Sequence, residues 1–184
     1  MKILPLVLAP DPLLKQVSKP VEKIDDELRS FMKNMVQTMY AEHGVGLAAV
    51  QVGVLKRILV IDVDYKVEDH HHHHHGESCD HVHVTNTNPR YFINPEIIES
   101  SKDFSSYNEG CLSFPGARSQ VSRPNQVKVK YLDFSGQEKV ELMDGLLATC
   151  IQHEMDHLNG ITFVDHISKI KRDMIMKKIK KYQR

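Results

Sequence analysis

The stretch that most restricts what this chain can fold into is Gln152-His153-Glu154-Met155-Asp156-His157-Leu158-Asn159-Gly160. Read as a helix, it sets His153 and His157 one turn apart on one face, about 6 Å along the axis. Two imidazoles so placed can converge on one metal ion through bonds of about 2 Å. Glu154 points slightly off that line and can reach a water at the metal without being a ligand. A Lewis acid, a water and a base are the parts that metal-assisted hydrolysis needs. The helical reading has local support. Asp144 is the expected N-cap, Leu146, Leu147, Ala148, Cys150, Ile151, Met155 and Leu158 put apolar groups on most sides, and Asn159-Gly160 is a stop signal. A helix apolar nearly all round is a buried one. Buried His and Glu need partners, because a lone charge in a core is costly, and one metal ion would serve all three. A chance match on a surface helix would have polar flanks instead.

At 184 residues the chain is expected to form one domain, spanning 1–184. Formal net charge is zero, but residues 168–184 carry eight Lys or Arg against one acid, Asp173. A basic tail on an acidic body predicts either a polyanionic partner or a solvated amphipathic helix. Three cysteines, Cys79, Cys111 and Cys150, make no disulfide framework and point to a reducing compartment. The apolar N-terminus is short, interrupted by Pro5 and lacks a cleavage-like site, so it does not read as a signal peptide. No apolar run approaches the ~20 residues of a membrane span. A cytoplasmic protein with no membrane and no DNA partner is expected.

Residues 1–20 read as mostly extended, since Pro5, Pro10, Pro12 and Pro20 forbid a long helix. From 25 to about 40 the apolar residues Leu28, Phe31, Met32, Met35, Val36 and Met39 follow a helical period. In 43–53, glycines and alanines leave backbone accessible to a substrate's main chain, or else make a tight packed turn. Gln51 is a polar group among small apolar ones and calls for a specific partner. Residues 57–63 read as a buried strand and 91–98 as a strand with a bulge at Pro95. Residues 126–133 and 138–143 read as a hairpin turned by Ser135-Gly136, with Val140 and Leu142 on one face. A C-terminal helix begins near Ser168. Segment 66–89, with six consecutive histidines from 70 to 75, reads as a polar loop, natural or engineered. Cys79, His81 and His83 in it suggest adventitious metal binding. The expected fold is α+β: antiparallel sheets packed around a central buried His-Glu-x-x-His helix, with an amphipathic helix before and a basic helix after.

Two histidines do not fill a coordination shell. Cys150 sits about 10 Å along the axis from His157, too far to share an ion with both histidines. His166 and Cys111 remain. Cys111 lies in the glycine-containing stretch Asn108-Glu109-Gly110-Cys111-Leu112-Ser113, which could lie over the helix and complete a Cys-His-His set.

Three stretches together resemble the motifs of peptide deformylases, in the family's order: Gly44-Val45-Gly46-Leu47-Ala48-Ala49-Val50-Gln51, Glu109-Gly110-Cys111-Leu112-Ser113 and Gln152-His153-Glu154-Met155-Asp156-His157-Leu158. The second has the bacterial form. The resemblance implies removal of the formyl group from N-formylmethionyl nascent peptides, with release of formate. It implies Cys111, His153 and His157 as ligands of ferrous iron, replaceable by zinc, nickel or cobalt. Glu154 would be general base and then acid, and the Gln51 amide and Leu112 N–H would be the oxyanion donors. Val45, Leu146 and Cys150 would line the methionine pocket. The peptide would add strand-like along Val45 and Gly46, with Gly110 also in the substrate site and Arg118 near its far end. It further implies docking of the C-terminal helix on the ribosome surface. Segment 66–89 departs from the family pattern, outside all three motifs.

Two other readings stay open. A zinc protease would fit His153-Glu154-x-x-His157-x-x-Gly160, but Phe163 stands where its third histidine belongs and no Glu follows Glu154. Only His166 supports it. A non-enzymatic metal-binding module would rest on the histidine run with Cys79, His81 and His83.

Overall fold

The computed structural model describes residues 2–68 and 83–182. Among the described residues, three helices, α1 (Asp26–Ala41), α2 (Gly145–Leu158) and α3 (Lys169–Tyr182), accompany nine strands. These are β1 (Gly46–Ala48), β2 (Ile58–Ile61), β3 (Lys66–Val67), β4 (Val84–Thr85), β5 (Arg90–Ser100), β6 (Phe104–Gly110), β7 (Arg118–Pro124), β8 (Gln126–Leu132) and β9 (Glu138–Asp144). All strand pairs are antiparallel. One sheet runs β1-β2-β5-β8-β9, and β3-β4 and β6-β7 form two-stranded sheets of their own.

The large sheet is packed on both faces, which explains the unbroken apolar run of β2. Successive side chains of a strand point to opposite faces. Leu59 and Ile61 accordingly join Phe92, Val127, Val129 and Met143 under α2, while Ile58 and Val60 join Leu47, Ile93 and the α1 residues Met32, Met35 and Met39. α1 is launched by Asp25, whose side chain accepts the Leu28 N–H at 3.0 Å. A third core gathers Ala9, Leu14, Phe114, Val121, Phe163, Val164 and Ile179 beneath α3.

Some expectations hold and others need correction. Val140 and Leu142 share a face as expected; it is the solvent face, where they are 48% and 66% exposed, and Met143 is the residue that β9 buries. α1 packs chiefly on β1 and β2, with Arg29 and Lys33 reaching Phe134 at the β8–β9 turn. Segment 66–89 is not all loop, since it contains the strands β3 and β4. Lys66 pairs with Thr85 and Val67 with Val84. Cys79, His81 and the histidine run lie outside the described residues, and the Nδ1 of His83 is 3.4 Å from Glu68 Oε2. β6 and β7, which carry the 109–113 stretch, were not expected as strands. Around Pro95 the β5–β8 register shifts as expected, and a second shift falls between Ile97 and Glu99. The proline-rich start contains one short 3-10 turn, Pro12–Lys15, capped by Asp11.

Candidate metal centre and active site

α2 forms as its apolar periphery dictates, and ten of its fourteen residues are buried. Its start follows Asp144, although that side chain makes no capping bond; Gly145 takes the turn into the helix at φ 55°. One turn apart on the buried side, His153 and His157 hold their rings with centroids 5.1 Å apart. The β6–β7 hairpin then places Cys111 against them. One ligand atom from each of Cys111, His153 and His157 lies within 4.8 Å of the others, and Cys111 Sγ is 3.2 Å from His157 Nε2. His166 is elsewhere: its Nε2 lies 2.7 Å from Asp156 Oδ2 at the surface, outside the cluster.

The cluster sits on a charged network that the sequence did not announce. His153 Nδ1 is 2.8 Å from Glu109 Oε2, leaving Nε2 free to face the cluster. Glu109 takes two bonds from Arg123, Nε at 2.6 Å and Nη2 at 3.0 Å. Arg123 Nη1 reaches Asp156 Oδ2 at 2.7 Å. Burial works against an ionised Glu109, but His153 and Arg123 outweigh it and hold the carboxyl down at about 2. Burial also disfavours a charged His153, yet the Cys111 sulfur and Glu109 hold its pKa well above the imidazole range. Burial and the neighbouring His153 charge push His157 well below that range.

This donor set fits a divalent transition metal. A thiol and two imidazoles suit borderline-soft ions. A neutral imidazole is the form that ligates, and a carboxylate behind a ligating histidine fixes its tautomer. Buried atoms without a protein partner cluster here as well: His157 Nδ1 and Glu154 Oε2.

Glu154 is 4% exposed, and burial raises its carboxyl to about 7. It lies against β1: a Cβ on Gly46 would stand 2.5 Å from Glu154 Oε1 and 2.7 Å from Cys150 Sγ, so a larger residue there would have to displace these two side chains. Cys150 is buried and has its thiol raised by that burial, and its Sγ lies 3.6 Å from the Val45 carbonyl. Leu146 stands one turn before it and is 43% exposed; Val45 is 38% exposed. Among the described residues, β1 is the last strand of its sheet and pairs there with β2 alone.

Gln51 finds the partners its setting called for. Its Oε1 accepts the Ala48 N–H at 2.8 Å, and its Nε2 donates to Ser113 Oγ at 3.2 Å and to Cys111 Sγ at 3.4 Å. Leu112 packs on Gly44, where an added Cβ would meet its Cδ1 at 2.7 Å. Gly110 pairs with Arg118 in the β6–β7 register, and the exposed Arg118 side chain lies over it. The structure therefore brings Gln51, Cys111, His153, Glu154 and His157 into one centre, flanked by Gly46 and Cys150. Sequence reasoning gave no role to Arg123, Asp156, Glu109 or Ser113. Only Arg123 lay outside the recognised motifs.

A helix-borne pair of histidines, a distant cysteine and a buried glutamate beside them define a mononuclear metallohydrolase type of centre. The family profile described as Polypeptide deformylase matches residues 3–173. A peptide deformylase of Phenylobacterium zucineum (strain HLK1) is 47% identical over 99% of this chain and 98% of its own length. That of Brucella suis biovar 1 (strain 1330) is 49% identical over 98% and 94%. Among solved structures, peptide deformylase from Ehrlichia chaffeensis is 41% identical and superposes with a TM-score of 0.84 over 99% of this chain and 97% of its own. The complex of that organism's enzyme with actinonin gives 0.85 over 100% and 99%. The chain belongs to the polypeptide deformylase family.

Proposed function

We propose that this protein removes the formyl group from the N-terminal formylmethionine of newly made peptides, through the centre formed by Cys111, His153, His157 and Glu154. The observation that carries this reading is the convergence of the three ligand atoms within 4.8 Å of one another, beside a glutamate whose carboxyl burial lifts to about 7. Cys111 Sγ and one ring nitrogen each of His153 and His157 would hold the ion. Ferrous iron is the metal proposed, with zinc, nickel or cobalt as substitutes, since sulfur and imidazole donors suit several first-row ions. When bound, the ion supplies Lewis acidity, brings the pKa of a water near neutrality and favours the ionised form of Glu154 by its charge.

The protein's own groups do the rest. Glu154 Oε2 has no protein partner and is free to take a proton from the attacking water, then deliver it to the departing amine. Gln51 holds its Nε2 toward the cluster because Oε1 is tied to the Ala48 N–H. Together with the Leu112 backbone N–H it would meet the negative charge on the former formyl oxygen, where preorganised donors are worth most. The peptide would extend β1 on its free edge along Val45 and Gly46. Its methionine side chain would rest among Val45, Leu146 and Cys150, with Gly110 and Arg118 toward the far end. Formate released from formyl-Met-Ala-Ser by anaerobically purified, metal-assayed protein tests the reading. No formate from metal-replete protein refutes it.

As a partner we propose the ribosome surface, contacted by α3. Lys169, Lys171, Lys177, Lys178, Lys180 and Lys181 are all exposed, a distribution suited to RNA phosphate. A cytoplasmic location goes with that partner; among the described residues, no helix is long and apolar enough to cross a membrane.

A further inference from the structure

The two groups proposed to face the developing negative charge come from distant parts of the chain. Gln51 sits on the 3-10 turn Ala49–Val52 after β1, while Cys111, Leu112 and Ser113 follow β6. The N-terminal segment bonds both. The Val7 N–H donates to the Gln51 carbonyl at 2.7 Å, and the Ala9 N–H donates to the Ser113 carbonyl at 2.8 Å. In extended chain, residues two apart present their N–H groups along the same edge, so a single short stretch can bond both loops at once. Its side chains divide in the same way. Leu4 and Leu6 pack with Ala49 and Val52, whereas Val7 and Ala9 pack with Phe114 and Cys111. The segment thus lies across the seam between two cores. Pro5 and Pro10 bracket it and restrict its backbone to extended forms.

We propose that segment 7–9 is a positioning clasp: by bonding Gln51 and Ser113 through its backbone, it fixes the Gln51 amide against the Cys111-Leu112-Ser113 turn and so sets the geometry of the oxyanion site. The proposal rests on the reading of Gln51 and Leu112 as oxyanion donors. Ser113 belongs to the same device. It is fully buried, and its hydroxyl accepts one hydrogen of the Gln51 amide, which aims the other. Donors of this kind act on charge that exists only in the transition state, so loosening them lowers kcat and leaves KM in place.

Val7→Pro removes the N–H in a segment already extended, and Val7→Ala, the conservative control, keeps it. With formyl-Met-Ala-Ser and metal-assayed protein, Val7→Pro is expected to lower kcat about tenfold relative to Val7→Ala, a modest share of the ~10²–10³ that loss of a whole donor costs. KM should stay within about twofold and metal content should be unchanged. In a Ser113→Ala background the same proline should cost much less, because both changes act through Gln51. Equal kcat for the two Val7 variants overturns the clasp, as does a full tenfold cost in the Ser113→Ala background. Should Val7→Pro not fold, Leu8→Gly keeps both donors and loosens the residue between them. A severalfold fall in kcat at constant KM then supports the clasp, and unchanged kcat overturns it. Failure of the underlying reading is distinguishable, since the wild-type protein would then release no formate.

Discussion

At the residue scale, Glu154 and Cys111 carry the most specific expectations. Glu154 is buried and has one oxygen unpartnered, but it is not one of the three clustered ligand groups. Glu154→Ala should therefore keep its metal and lose kcat for formate release by roughly 10²–10⁴, the range of positioned acid–base groups. Turnover near wild type, with metal present, would remove Glu154 from the mechanism. The two described cysteines should behave oppositely. Cys111 has its sulfur 3.2 Å from His157 Nε2, and a hydroxyl is a poor ligand for a soft-leaning site, so Cys111→Ser should bind metal weakly or exchange it for another. Cys150 is held against the Val45 carbonyl with its thiol raised by burial, and Cys150→Ser should retain a full equivalent. Metal analysis after gel filtration separates the two.

At the scale of elements, the β6–β7 hairpin is fastened to α2 by charge inside the protein. Arg123 on β7 and Glu109 on β6 are each about 5% exposed at the side chain, and Arg123 continues to Asp156 on α2. Such a pair adds little net stability over a well-packed apolar one, but breaking it strands a buried carboxylate. Arg123→Ala should therefore cost about 3–5 kcal/mol of unfolding free energy in denaturant titrations. It should also weaken metal binding, because Glu109 orients His153. A loss below about 1 kcal/mol would mean that water reaches Glu109 in the variant and that the hairpin is held by packing alone.

Across the whole molecule, the two ends of the chain are joined at Asp165. Its carboxylate bonds the Thr162 N–H and hydroxyl at 2.8 Å each, and also Lys15, 150 residues earlier. Burial works against the charge on Asp165, but these partners prevail and hold its pKa below the usual aspartate range. A carboxyl depressed on folding contributes stability that is present above the unfolded-state pKa and is lost as pH falls through the folded value. Asp165→Asn should therefore lower the Tm at neutral pH and leave a smaller drop in Tm on going to pH 3 than wild type shows. Equal drops in both proteins would count against this linkage. The seat of α3 bears on a second experiment. Ile179 is 1% exposed, with Ile175 and Met176 beside it, whereas Ile170 and Met174 are 75% and 68% exposed. Deleting the helix would open a core, so ribosome binding is better tested by replacing Lys169, Lys171, Lys177, Lys180 and Lys181 with Gln. Lys178 is kept, because it bonds the Gly116 carbonyl at 2.7 Å. Co-sedimentation should weaken and lose its salt dependence, while hydrolysis of a short peptide persists. Unchanged, salt-insensitive binding would leave α3 as a solvated helix packed on the body.

The sequence by itself determined what depends on neighbours along the chain. The period of Leu28, Met32, Met35, Val36 and Met39 specified α1, and the apolar periphery of 145–158 specified a buried α2. The alternation of 126–132 specified β8, because each of these patterns has one face that must leave water. The spacing of His153 and His157 specified a pair on one helix face for the same local reason. Tertiary structure alone decided where patterns were weak or symmetric. β6 and β7 are half-exposed and mostly polar, so no alternation betrayed them. Val140 and Leu142 could have faced either way until the reach of α1 over the sheet was known. Ile170 and Met174 looked as apolar as Ile175 and Ile179, and only the position of Phe114 and Phe163 chose between them. The bonds linking Glu109 to Arg123 and His153, Gln51 to Ser113, Val7 to Gln51 and Ala9 to Ser113 join residues far apart in sequence.

 Ala9 bonds the Ser113 loop as Val7 bonds the Gln51 loop, and hydrogen-bond partners of this kind are chosen by the folded backbone, since any buried donor must find an acceptor but local sequence does not say which.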